Sequence, residues 1–304
     1  MDTIHGFLTI SSVRYTNPNL PVHHLQTTMA STELFSVPIS ARPSYPGGTI
    51  VCTTPAPKVY LLTFTSPNDN RLTPEFCSAL LTALDIIEFG YDPGVVVTTS
   101  GIKKFYSNGL DLALAMTTPG FWENSLYTLL RRFLTYPMPT VALINGHAFA
   151  GGIFLAMHHD YRVFTGSGRG YACVNELDFG APLPPPLSAI FRIKTTPPVY
   201  RDAVLEAKRF DASAALEAGI VDAVGEVDAV LKLVEERGLV AKGATGAYGV
   251  LKEEMYREAV ALLSAKVTDL ITPANLRENN KKKRAEGQKR LKEWKENQGE
   301  KAKL

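Results

Sequence analysis

The sequence predicts an α/β fold, with a mixed sheet core followed by a helical C-terminal part. Two observations carry this. β-Branched and aromatic runs alternate with helically spaced apolar residues up to about residue 187, and beyond that point only helical patterns remain. In addition, two predicted strands lead into glycine-rich loops that each open a helix, an arrangement typical of parallel α/β sheets.

The elements follow in order. Residues 1–45 are rich in Ser, Thr, Pro and Asn without periodicity and are expected to be a disordered extension. Met29 offers a second start, and Arg14 and Arg42 are too few basic residues for a transit peptide. Residues 49–54 and 59–66 flank Pro55-Ala56-Pro57-Lys58 and predict a hairpin. Thr73-Pro74 predicts an N-cap and first helical turn, with Phe76, Leu80, Leu84 and Ile87 on one face. Residues 95–99 read as a buried strand, 119–136 as a helix, 140–144 as a strand and 151–159 as a helix. Strands over 161–165 and 171–174 flank Gly166-Ser167-Gly168-Arg169-Gly170. That run superficially resembles a phosphate loop, but its place between two strands predicts a hairpin turn. A charged helix is expected over 273–297. The organisation is therefore an extension (1–45), a core holding both glycine loops (46–200), a helical continuation of the same domain (201–272), and a charged helix and tail (273–304).

Composition excludes several functional classes. The 304 residues carry 32 basic and 30 acidic side chains, so no overall field favours nucleic acid or a membrane surface. No apolar run approaches the roughly 20 residues that cross a bilayer. Cys52, Cys77 and Cys173 are odd in number and far apart, so neither a disulfide framework nor a zinc site is expected, and a reducing compartment is the simpler reading. The final Ala302-Lys303-Leu304 resembles the small-basic-leucine tripeptide of peroxisomal import.

Chemistry concentrates in the glycine loops. Phe105-Tyr106-Ser107-Asn108-Gly109-Leu110-Asp111-Leu112 follows the strand 95–99, and Asn145-Gly146-His147-Ala148-Phe149-Ala150-Gly151-Gly152 follows 140–144. Glycine lets each backbone turn sharply and leaves N–H groups free, and such groups suit an anionic oxygen. Alone, either loop is most simply a turn.

Together the two loops closely resemble the signature loops of the crotonase (enoyl-CoA hydratase/isomerase) family, usually written FSAGADL and NGxAxGGG. Asn70-Arg71-Leu72-Thr73-Pro74-Glu75 is similar to the family's NALNPEL helix opening. Pro137, Pro139 and Thr140 are similar to its strand entry, and 210–222 to its A-x-x-A-x-x-x-G-L-V-D segment. The resemblance spans about 59–263 and is most like the monofunctional 3-enoyl-CoA/2-enoyl-CoA isomerases. It implies a spiral of ββα units with a helical C-terminal trimerisation region, assembled as a homotrimer or hexamer.

Residue by residue, the resemblance makes the N–H groups of Leu110 and Gly151 the oxyanion donors and lays the coenzyme along Ser107, Asn108, Gly109 and Asp111. It makes Glu176, in Val174-Asn175-Glu176-Leu177-Asp178, the catalytic base. Where hydratases of the family carry a second carboxylate this chain has Phe154, and where dienoyl-CoA isomerases carry a further acid it has Pro184. One glutamate beside an oxyanion hole is enough to move a proton between carbons, whereas adding water calls for two carboxylates. The implied reaction is therefore the shift of a 3-enoyl-CoA double bond to 2-enoyl-CoA, in fatty acid β-oxidation. The expected partners are an acyl-CoA substrate and the peroxisomal import receptor; no membrane or nucleic acid is expected, and no cofactor or metal, coenzyme A being part of the substrate.

Other readings remain open. One is hydration or another crotonase reaction on a CoA thioester, and another is a non-catalytic acyl-CoA or RNA-binding member. His158-His159-Asp160 reads as a helix end complementing the dipole. His147 and Asp178 are candidate assistants, Asp178 only if a strand persists past Glu176. Lys281-Lys282-Lys283-Arg284 reads as a solvated face.

Overall fold

The computed structural model describes residues 32–168, 170–266 and 273–301, the side chains of 273–276 and 297–301 excepted. A hairpin opens the described chain, β1 (Thr32–Ile39) pairing antiparallel with β2 (Gly48–Ala56), which pairs in turn with β3 (Val59–Thr65). The expected extension therefore does not include 32–45. Val37 and Ile39 alternate with exposed Ser36 and Pro38, a strand pattern that the Ser, Thr and Pro content masks. Residues 1–31, with Met29, lie outside the described residues.

Helix α1 (Pro74–Gly90) begins as its sequence dictates. The Thr73 hydroxyl accepts the Phe76 N–H at 3.2 Å, Pro74 takes the first turn, and Phe76, Leu80, Leu84 and Ile87 are buried. Each such side chain contributes roughly 1.5–3 kcal/mol of burial free energy.

Three strand–strand–helix turns follow. β4 (Val95–Ser100) and β5 (Phe105–Ser107) lead into α2 (Leu112–Thr117). A π-helix (Phe121–Tyr127) runs on into α3 (Thr128–Thr135). β6 (Thr140–Ile144) and β7 (His147–Phe149) lead into α4 (Gly151–Met157). β8 (Tyr161–Phe164) and β9 (Ala172–Cys173) lead into a 3-10 turn, Asn175–Phe179. In each pair the first strand joins a seven-stranded sheet, ordered β1-β2-β3-β4-β6-β8 and closed by the short β10 (Ala223–Val224), and the second joins a parallel three-stranded sheet, β5-β7-β9. This is the spiral of ββα units. It corrects the expected hairpin at 166–170, because β8 and β9 belong to different sheets and the glycine run carries the chain across.

Among the described residues the remainder is helical apart from β10: α5 (Pro185–Lys194), α6 (Pro197–Leu205), α7 (Ala212–Glu217), α8 (Val227–Glu236), α9 (Leu239–Gly243), α10 (Tyr248–Met255), α11 (Arg257–Ser264) and α12 (Pro273–Lys301). Strand alternation splits the core between the two faces of the large sheet. Val95, Val97, Val141, Leu143 and Val163 pack with α8 and α9, while Val96, Ala142, Ile144 and Phe164 join the larger cluster with α1, α3 and α4.

Candidate active site

The small sheet positions the site. Its three parallel strands end side by side, and each releases one part of a single cavity. β5 leads to Asn108-Gly109-Leu110, β7 to Ala150-Gly151, and β9 to Asn175-Glu176. Neither glycine loop follows its long strand directly, as the sequence reading had it; a three-residue strand intervenes in each. The cavity is about 530 Å³ and is lined by Leu110, Gly151 and Glu176 among others.

The two loops abut. Gly109 has φ +76°, and an atom at its Cβ position would lie 2.7 Å from the Gly151 nitrogen. The Gly109 carbonyl accepts the Leu72 N–H at 2.9 Å, and the Ala150 carbonyl accepts from Ile153 and Phe154 within the first turn of α4. In a trans peptide the N–H points opposite to the C=O. The Leu110 and Gly151 N–H groups therefore point away from these anchored carbonyls. Ala150 adopts φ +47°, a region that favours glycine, so the second loop is held in a strained backbone.

Behind the first loop, buried Asn70 accepts from the Ser66 N–H at 2.7 Å and donates to Ser100 Oγ and the Tyr106 carbonyl at 2.6 and 3.1 Å. Ser107, expected along the coenzyme, is fully buried instead; its hydroxyl donates to the Asn70 carbonyl at 2.7 Å and accepts the Gly109 N–H at 3.1 Å. Gly109 lies behind the cavity wall, whereas Asn108 and Asp111 line it.

Glu176 is the half-buried acid of the site. Its Oε2 is shielded from solvent with no hydrogen-bond partner among the described residues, and this burial pushes its carboxyl up to about 7. Asp111 also lines the cavity but is fully committed. It caps α2 through the Leu114 N–H at 3.0 Å and accepts the Tyr45 hydroxyl at 2.6 Å. The Tyr45 bond, first of all, holds its carboxyl below the usual range, and Tyr45 itself is pushed up to about 12, mostly by burial.

The other candidates fall outside the cavity. Asp178 sits exposed in the 3-10 turn, so the strand alternation that would have aligned it with Glu176 does not persist. His147 accepts the Tyr171 N–H at 3.2 Å and stacks with Tyr171. His158 and His159 are not charged caps. Both are buried and donate Nδ1–H to the Phe154 and Leu155 carbonyls, and burial pushes His158 down to about 3. Asp160 instead pairs with buried Lys252 at 2.9 Å. Phe154, in the position of the hydratase carboxylate, is fully buried edge-on to Phe191.

Sequence reasoning missed the cavity residues Tyr45, Arg71 and Trp122. Arg71 stood within a quoted motif; Tyr45 lay in the presumed extension; Trp122 gave no signal.

The architecture and the loop pair define a CoA-thioester enzyme fold of the crotonase type. The enoyl-CoA hydratase/isomerase family model matches residues 56–299, and the chain belongs to that family. It is 35% identical over 215 residues to the peroxisomal enoyl-CoA delta isomerase 1 of Arabidopsis thaliana, covering 67% of this chain and 88% of that one. Against enoyl-CoA delta isomerase 3 of the same plant it is 32% identical, covering 70% and 95%. Among solved structures, a Mycobacterium tuberculosis protein described both as an enoyl-CoA isomerase and as a probable enoyl-CoA hydratase superposes with a TM-score of 0.60 at 25% identity, covering 70% of this chain and 93% of that one. Human mitochondrial delta3-delta2-enoyl-CoA isomerase shares the fold, with a TM-score of 0.60 at 24% identity, covering 68% and 82%. β1 and Tyr45 precede the matched region.

Proposed function

We propose that this chain is an acyl-CoA isomerase that shifts the double bond of a 3-enoyl-CoA to the 2-position. The observation that carries the reading is the pairing of one proton-accepting carboxylate, Glu176, with two adjacent outward N–H groups. The thioester oxygen accepts from Leu110 and Gly151 as Glu176 removes a proton from C2, giving a dienolate. Each donor is worth roughly 100- to 1000-fold in rate. Glu176 then returns the proton to C4, which leaves the double bond between C2 and C3. A carboxyl that titrates near neutrality suits both halves of this transfer. Asp111, bound by two donors and held ionised, is a poor second acid for adding water. The relatives named as enoyl-CoA delta isomerases support the same chemistry. The decisive test is direct: purified protein should convert 3-hexenoyl-CoA to 2-hexenoyl-CoA, and failure to do so would remove the assignment.

We further propose a peroxisomal setting in the oxidation of unsaturated fatty acids. Support comes from two peroxisomal relatives and from Ala302-Lys303-Leu304, which lies outside the described residues. A reporter bearing the last dozen residues should enter peroxisomes; a diffuse signal argues against it. For assembly we propose a trimer or a hexamer of two trimers. The helical stretch 248–263 is broken at Tyr256, between α10 and α11. Ala259 is buried, while Val250, Leu251 and Met255 leave an exposed apolar patch on α10. A stable monomer in light scattering at micromolar concentration would exclude it.

A further inference from the structure

The β1–β2 loop, residues 40–47, reaches the cavity and is tied down at each stage. Arg42 and Tyr45 exchange backbone hydrogen bonds of 2.8 and 2.9 Å. Gly47, at φ +82°, closes the loop where a side chain would strike the Ile39 carbonyl. The Arg42 guanidinium pairs with Glu75 of α1 at 3.2 Å, and the Tyr45 hydroxyl bonds Asp111 at the start of α2. Tyr45 thus forms part of the cavity wall on a braced loop, and it precedes the region the chain shares with its family.

The cavity wall has two characters. Phe179, Pro182, Pro184 and Leu187 form an apolar surface on the chain that follows Glu176. Tyr45, Arg71, Asn108 and Asp111 form a polar surface in which Tyr45 bonds Asp111 while Arg71 and Asn108 share Asp69. Arg71 donates to the Leu110 carbonyl at 2.7 Å and to Asp69 at 3.0 Å, and Asn108 donates to Asp69 at 2.7 Å. A thioester held at Leu110 and Gly151 has an apolar acyl chain on one side and an amide-bearing pantetheine arm on the other. The apolar surface suits the first. The polar surface suits the second, since amide N–H groups need acceptors such as a phenol oxygen or carboxylate, and amide carbonyls need donors.

We propose that Tyr45 is a specificity-determining residue that closes the polar end of the cavity over the pantetheine arm of the substrate. This rests on the CoA-thioester reading above. With its proton committed to Asp111, the phenol oxygen keeps a lone pair for a pantetheine amide, and the ring shuts that end against bulk water. Thioesters lacking most of the arm gain nothing from it.

The test compares 3-hexenoyl-CoA with the same acyl group on N-acetylcysteamine, in wild type, Tyr45→Phe and Tyr45→Ala. In Tyr45→Phe the kcat/KM preference for the CoA substrate should fall about tenfold, the worth of one ordinary hydrogen bond, mainly through KM. Tyr45→Ala should lose at least as much, since it also removes the ring that shuts the end of the cavity, and calorimetry with free coenzyme A should show weaker binding in both. An unchanged preference overturns the proposal, as does an equal loss on both thioesters or a changed acyl-length preference with the CoA preference intact. If Tyr45→Ala does not fold, Tyr45→Phe, which keeps the packing, decides. A wild type that binds coenzyme A without turnover would sink the isomerase reading alone, leaving the coenzyme affinities of the variants to judge Tyr45.

Discussion

Gly109 and Gly151 pack so closely that a methyl group on the first would come within 2.7 Å of the backbone nitrogen of the second. The close approach places the two candidate oxyanion donors beside one cavity, and it requires glycine at 109, whereas a methyl on Gly151 would meet the Gly109 Cα at a tight 3.1 Å. Gly109→Ala combines an unfavourable φ with a backbone clash, so the loops must separate. We expect kcat on 3-hexenoyl-CoA to fall about 100-fold, the scale of one lost donor. Unchanged turnover in a folded variant would show that Leu110 and Gly151 do not act together.

Glu176 gives the pH behaviour. With its carboxyl raised from 4.5 to about 7, the base form fills only as pH rises through about 7, so kcat/KM should fall tenfold per unit on the acid side. Stability runs the other way. The folded protein holds this proton more tightly than the unfolded chain, so the contribution is full below the unfolded value and is lost as pH rises from 4.5 through about 7. At about 1.4 kcal/mol per unit, the ionised form costs roughly 3 kcal/mol. Glu176→Gln should therefore be inactive and, at pH 8, more resistant to urea than wild type. An acid limb unmoved from the ordinary carboxylate range would place the proton transfer on another group.

What was legible in the sequence was local or long. Thr73 and Pro74 announce α1 because capping chemistry lies within four residues, and 95–99 reads as a buried strand because Val95, Val96 and Val97 put apolar side chains on both its faces. β5 and β7 escaped because three residues carry no periodicity, whereas β9 lay within the expected strand over 171–174 and only its sheet was misread; together the three deliver every loop of the site. Tyr45 escaped because its partner is 66 residues away, and composition alone marked its segment as loose. Ser107 matched its motif but turned inward, since its hydroxyl is needed by Asn70 and Gly109.

A buried chain of hydrogen bonds links the two loops from behind. His159 gives its Nδ1–H to Leu155, so its Nε2 accepts the Thr98 hydroxyl at 2.9 Å, and Thr98 in turn accepts the Tyr106 hydroxyl at 2.9 Å. Tyr106 adjoins Ser107, and His159 follows α4. Thr98→Val should leave both partners unsatisfied and cost about 2–6 kcal/mol in urea unfolding, at roughly 1–3 kcal/mol per buried group. Thr98→Ser should recover most of that loss. Equal damage from Ser and Val would assign the effect to the methyl group's packing instead.

Phe154 separates isomerisation from hydration. Its ring is fully buried against Phe191, so the position where the family resemblance puts a hydratase's second carboxylate is occupied here by core. The cavity's other carboxylate, Asp111, is held ionised by Tyr45 and Leu114 and has no proton to give near neutral pH. Wild type should therefore hydrate 2-hexenoyl-CoA at least 100-fold more slowly than it isomerises 3-hexenoyl-CoA, since general acid–base assistance is worth about 100- to 10,000-fold. Phe154→Glu should not rescue hydration, because it removes an aromatic contact and buries a carboxyl among apolar side chains, at a cost of several kcal/mol or a strongly raised pKa. Its expected signature is a large drop in urea midpoint with hydration no faster than in wild type. A stable Phe154→Glu protein with brisk hydration would mean that the helix turns this side chain toward the cavity. Brisk hydration by wild type would mean that a proton donor other than Asp111 reaches C2, and the single-carboxylate mechanism would fall.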